Sequence, residues 1–214
     1  MAAKGIRTDM PFTVFSLEAD KDYLLARLIS SLGGPFHNRA GYFGHQACEK
    51  YLKALSVQHD GTYAETHKLH ELAEICAPSY EFLNQGGAAR DLELFDVFEQ
   101  VGRYGAAANF DPLSKGRPIE GMQFFPSDDL QIAGASVWTE AHLKSLDRFV
   151  YWARGHLDFR KVNYDDNFVS ILLNDERNVM VGLWHGPIPL VEILTKGNSY
   201  FTPEAVKPGT PEVP

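Results

Sequence analysis

The chain has 214 residues, 44% of them hydrophobic, and a formal net charge of −8. That length and apolar content suit one packed domain with an appendage and exclude a disordered chain, because so much apolar surface collapses rather than staying solvated. The acidic balance argues against a general nucleic-acid binder, which carries a basic stripe to displace phosphate counterions, and leaves room only for a local basic patch.

Cys48 and Cys76 are the only cysteines. Both lie in stretches of helical periodicity, which makes no disulfide framework and no metal knuckle, so two buried thiols in a reducing cytosol are expected. No window approaches the ~18 apolar residues of a membrane span. The opening 16 residues lack the charged start and long apolar run of an export signal. The expectation is a cytoplasmic protein with no membrane contact.

In chain order, Leu24, Leu25, Leu28, Ile29 and Leu32 recur at steps of three and four, which predicts a helix over 18–32 ended by Gly33, Gly34 and Pro35. A second helix is predicted over 38–57, with Ala40, Ala47, Cys48, Tyr51, Leu52 and Leu55 on its apolar face and Glu49 four residues before Lys53; Asp60 and Gly61 stop it. A third starts with Thr66 as N-cap, turns Leu69, Leu72, Ala73 and Cys76 inwards, and ends by Pro78. A fourth, over 90–104, presents Leu94, Phe95, Phe98 and Val101. Each helix has one stripe that only a neighbouring helix can cover, so the elements form a bundle.

Gly, Pro, Ser and Asp interrupt every apolar run over 105–135, a stretch too long for an ordinary connection and read as a functional loop or an insertion. The longest predicted helix follows, over 136–159, with Leu143, Leu146, Phe149, Val150, Ala153 and Leu157 aligned. The fold expected is mainly α, an antiparallel up-and-down bundle of four to five helices over 16–160. A small appendage over 161–201 is expected to hold a strand-like Val179 to Trp184 and a short helix from Pro189 to Lys196. The proline-rich tail, 202–214, is expected to be poorly ordered.

Three short signatures carry a family resemblance. Gln46, Ala47, Glu49, Lys50, Leu52, Lys53, Ala54 and Leu55 read Q-A-x-E-K-x-L-K-A-L. His67 and Leu69 give H-x-L, and Arg103 and Tyr104 give R-Y, followed by Gly105. The chain resembles the HEPN family of helical bundles, in which the third signature ends in proline. The resemblance implies an antiparallel bundle, frequent dimerisation, and either nucleotide binding or RNA cleavage, often beside a nucleotidyltransferase-like partner. It also directs attention to Lys50, Lys53, His67, Arg103 and Tyr104 as residues that hold a phosphate or another anionic partner.

The ribonuclease members use an Arg and a His about four to six residues apart, shared across a dimer, with the His as acid or base and the Arg stabilising phosphate charge. Arg39 and His45 have that spacing and are the catalytic candidates. A step of six residues separates them by ~9 Å along a helix and ~120° around it, so a dimer is required to join them. They also stand earlier in the bundle than the family's catalytic motif, and Arg103 has no His at a suitable spacing after it. The alternative reading makes both partly exposed residues of a helix start.

His67, His70, Glu71 and Glu74 place each His four residues before a Glu, but the pattern is not H-E-x-x-H, and His67 reads better as a hydrogen-bonding anchor than as a metal ligand. Neither a metal nor a cofactor is expected. Glu49, Lys50 and Lys53 read as a solvated helix face unless they serve a ligand. Trp138, Trp152, Trp184, Phe124 and Phe125 are expected to pack in the core or an interface, with base stacking as the competing reading. No phosphate loop, nucleophile elbow or dinucleotide-binding turn is present. The function expected is a HEPN-like module that binds a nucleotide, RNA or a protein partner without catalysis, as a homodimer. The alternatives are a metal-independent endoribonuclease toxin of a toxin-antitoxin pair, or a purely structural dimeric adaptor.

Overall fold

The computed structural model describes residues 5–32, 36–84, 86–104, 138–165, 193, 194 and 196. The expectations for 105–135, for Val179 to Trp184 and for the tail lie outside these residues, as does most of the expected helix from Pro189 to Lys196. So do Trp184, Phe124 and Phe125.

Among the described residues five helices make the bundle: α1 (Phe12–Leu32), α2 (His37–Asp60), α3 (Leu69–Cys76), α4 (Gly86–Tyr104) and α5 (Glu140–His156). A two-stranded antiparallel sheet, not expected from the sequence, pairs β1 (Ile6–Arg7) with β2 (Tyr63–Ala64) in the register Ile6 to Ala64. It ties the segment before α1 to the loop between α2 and α3.

α1 begins well before the expected boundary because Pro11 opens it, its carbonyl accepting the Val14 N–H at 3.1 Å. α2 ends where Gly61, at φ 69°, adopts the left-handed conformation and returns its N–H to the Val57 carbonyl at 2.9 Å. α5 is shorter than expected. It starts after Thr139, whose backbone N–H donates to Nδ1 of His142 at 3.1 Å, a capping box with histidine in the usual Glu or Gln position.

Cross-helix contacts fix the directions. Asp20 meets Arg154 and Arg27 meets Asp147, so α1 and α5 run antiparallel. Asp20 also accepts from Tyr51, and Asp22 pairs with Lys50, which sets α1 antiparallel to α2. Gly44 of α2 approaches Trp138 and Leu146, while Gln58 reaches the His156 carbonyl at 2.7 Å, so α2 and α5 run parallel.

The expected stripes of α2 and α3 are buried as read: Ala40, Ala47, Cys48, Tyr51, Leu52 and Leu55, then Leu69, Leu72, Ala73 and Cys76. So are Phe95 and Phe98 of α4 and Leu146, Phe149, Val150 and Ala153 of α5. α1 departs from its expected stripe, since Leu25 and Leu32 are exposed while Phe15, Ala19, Tyr23, Ala26 and Arg27 turn inwards. The reason is a buried polar seam. Asp20, Tyr23 and Arg27 hydrogen-bond to α5 and α2 inside the core, so the inner face of α1 is not the most hydrophobic one.

Candidate functional site

The first signature lies along α2, and its members divide by environment. Ala47, Leu52, Ala54 and Leu55 are fully buried, which makes them packing residues. Glu49 and Lys53 are also buried, so the expectation of a solvated face is corrected for them. They form an ion pair one turn apart, Lys53 Nζ to Glu49 Oε1 at 2.7 Å. Gln46 Nε2 lies 3.5 Å from the other Glu49 oxygen, and His67 Nδ1 lies 3.0 Å from Oε1. Burial alone would raise the Glu49 carboxyl, but Lys53 and His67 outweigh it and hold the group below the usual carboxylate range. The Lys53 ammonium also sits 5.8 Å from the Tyr63 ring centre. Lys50 points the other way and pairs with Asp22 of α1.

One turn before Glu49, His45 is fully buried. This corrects the alternative reading of a partly exposed helix-start residue, which Arg39, being exposed, does match. The ring of His45 is held between α2 and α4, with Nε2 3.5 Å from Asp96 Oδ1. That separation is close enough for the two groups to favour each other electrostatically, yet it leaves Nε2 without a formed hydrogen bond among the described residues.

Asp96 of α4, not singled out in the sequence, is the second carboxylate of this region. Its carboxylate accepts the Leu69 N–H at 2.7 Å and the His70 N–H at 3.4 Å, and the His70 ring pairs with it through Nδ1 at 2.7 Å. Burial works to raise its pKa, but the His45 and His70 rings and the two backbone N–H groups overcome this and hold it at about 2. The expected N-cap Thr66 does not cap α3. The helix starts later, after Lys68, and its free N–H groups are satisfied from α4 by Asp96. Thr66 instead donates to Glu71 at 2.6 Å. A polar residue between Leu94, Phe95 and Phe98 was the available signal.

The result is a polar edge where α2, the start of α3 and α4 meet. Two carboxylates, Glu49 and Asp96, each hold one histidine of the T-H-K-L-H segment. His67 and His70 are 67% and 48% exposed, and each is held through Nδ1. The structure therefore joins Lys53 and His67 through Glu49, and His45 and His70 through Asp96, and leaves Arg39 and Lys50 apart from them. Arg103 and Tyr104 occupy the last turn of α4. Among the described residues, no group of three or more His, Cys, Asp and Glu can hold a metal ion, and no helix is long and apolar enough to cross a membrane.

The fold and this edge define an α-helical bundle in which a charged ladder on the second helix pairs with His67, just before the third, and Asp96 of the fourth pairs with His70. Residues 16–120 match the model of the HEPN domain, which supports the resemblance to the HEPN family read along α2. No curated protein and no solved structure matches the chain.

Proposed function

We propose that this HEPN-like domain binds a nucleotide or a segment of RNA without cleaving it, as a homodimer, along the edge carrying His67 and His70. The observation that carries the non-catalytic part is that His45 is buried while Arg39, apart from it on the same helix, is exposed. A general acid or base must reach the proton it transfers, and a phosphate-stabilising guanidinium must stand beside it. Binding is supported by the two exposed histidines, each oriented through Nδ1 by a carboxylate so that Nε2 faces outwards.

The backbone register adds to this reading. Gly41 lies against Phe98, and His45 against Asp96, so α2 and α4 run antiparallel. Extended by one to two turns, that register sets Arg103 and Tyr104 near the start of α2, where Arg39 is exposed. Lys50 and Lys53 are engaged with Asp22 and Glu49, so they bind an anion only by exchanging those partners. A nucleotidyltransferase-like protein is the macromolecular partner that fits the same family reading.

Calorimetric titration with mononucleotides and short RNAs tests the proposal. Binding is expected and is expected to weaken in the double variant His67→Ala, His70→Ala. Silence across all ligands removes the ligand-binding reading. RNA cleavage lost in both Arg39→Ala and His45→Ala replaces it with the ribonuclease.

A further inference from the structure

α4 has a second working face. While Asp96 turns to α2 and α3, Phe95 lines a cavity of about 150 Å³ between α4 and α5, with Phe82, Phe149 and Trp152 as its other aromatic walls and Asp91 and Arg148 beside them. The size decides what class of group enters. A cavity near this volume takes one small ring, whereas sites for larger ligands run to roughly 300–1,000 Å³.

The walls also set a plane. Trp152 stacks on Phe82 at 5.9 Å and 16°, and His156 stacks on Phe82 at 5.2 Å and 26°. Three near-parallel rings thus stand together, and Trp152 remains 42% exposed. A flat ring entering beside Trp152 continues the tier already there.

Polar groups meet at the same place. Arg148 donates through one guanidinium nitrogen to Asp91 Oδ2 at 2.7 Å, and its side chain is 54% exposed. A guanidinium has five N–H donors and a carboxylate several acceptor sites, so the pair offers further donors and acceptors side by side. That combination complements a ring edge that itself carries adjacent acceptor and donor atoms, as nucleobases do. An aliphatic or phenyl side chain would leave it unused.

We infer that the cavity is a binding site for one planar heteroaromatic ring of nucleobase class, stacked beside Trp152, with its polar edge at Asp91 and Arg148. Any attached sugar or phosphate lies outside, next to the exposed part of Arg148. The site is separate from the histidine edge and does not depend on it.

The test titrates the full chain with cytidine, uridine and toluene, following the indole N–H signals by NMR and repeating the titrations on Trp152→Ala and Arg148→Gln. Saturable nucleoside binding is expected, weakened at least tenfold in Trp152→Ala and severalfold in Arg148→Gln. Because Arg148 is on the surface, its variant reports on the site even if Trp152→Ala does not fold. Absence of nucleoside binding at millimolar concentration overturns the proposal. So does toluene binding as tightly as the nucleosides with Arg148→Gln changing neither, which marks an apolar anchor pocket for a protein side chain. Nucleotide binding that responds to His67→Ala, His70→Ala but to neither cavity variant overturns this site alone. The converse pattern overturns the histidine edge alone.

Discussion

Arg27 of α1 and Asp147 of α5 are 120 positions apart in the chain and 2.8 Å apart in the fold, both closed off from water. Tyr23 donates to the same carboxylate oxygen at 2.6 Å. A second buried set, Asp20 with Arg154, Tyr51 and Tyr164, repeats the arrangement further along the same two helices, and Arg154 also donates to the carbonyls of Ile193 and Leu194. Removing one member of such a pair strands a charge in the core. Asp147→Ala is expected to cost about 3–5 kcal/mol in urea unfolding, and Arg27→Met with Asp147→Leu to recover most of it. A loss under about 1 kcal/mol for the single variant would mean that the pair is not buried as described.

Asp96 ties α3 to α4, and its acidity gives this a pH signature. Its pKa is depressed to about 2 in the folded protein from an ordinary value of 3.8. The stabilisation is therefore complete above pH 3.8 and is lost as pH falls towards 2. Asp96→Ala should lose about 1–2 kcal/mol at neutral pH, since two helix N–H groups lose their acceptor. Unfolding curves of the variant and the parent should converge on acidification; a constant gap down to pH 2 would contradict this.

His142 produces a pH effect in a different range. Its Nδ1 accepts the Thr139 N–H, which requires that nitrogen to be unprotonated, and burial lowers its pKa below 6.5. The stabilisation is complete above the unfolded value of about 6.5 and declines as pH falls through the folded value. His142→Gln retains an acceptor at the capping position without a titrating group. Thermal melts between pH 5 and 7.5 should show a smaller pH dependence for the variant than for the parent.

Gly41 and Gly44 allow α2 to approach its neighbours closely. A Cβ on Gly41 would overlap the Phe98 ring, and one on Gly44 would lie 2.9 Å from Trp138. Alanine is favoured over glycine in a helix by about 1 kcal/mol, so both substitutions would stabilise an isolated helix. Gly41→Ala is instead expected to destabilise the protein by about 1–3 kcal/mol, because a ring packed in the core must shift. Stabilisation on denaturant unfolding would show that α2 and α4 are not in contact there.

Cys48 and Cys76 are both buried free thiols. Burial pushes Cys76 up to about 12 and raises Cys48 well above its ordinary range. At pH 8 neither supplies thiolate, so labelling with an aromatic disulfide reagent should be negligible in the native protein and reach two groups after unfolding. Rapid labelling of the native protein would place a thiol at the surface.

The sequence by itself determined the helices and much of the interior, because one-sided apolar periodicity has only one low-energy outcome: a stripe such as Leu69, Leu72, Ala73 and Cys76 must be covered by a neighbour. It also carried the family resemblance, since Gln46, Glu49 and Lys53 recur in order with their apolar spacing. Tertiary structure alone decided which polar residues are buried and what they touch. Asp20, Arg27, Glu49, Lys53 and His45 read like surface residues, and only partners far along the chain make their burial tolerable. Asp96 became the cap of a helix 26 residues away, and Trp152 came to stand beside Phe82. Hydrogen bonds and ring contacts of this kind depend on three-dimensional distance, for which local sequence spacing carries no record.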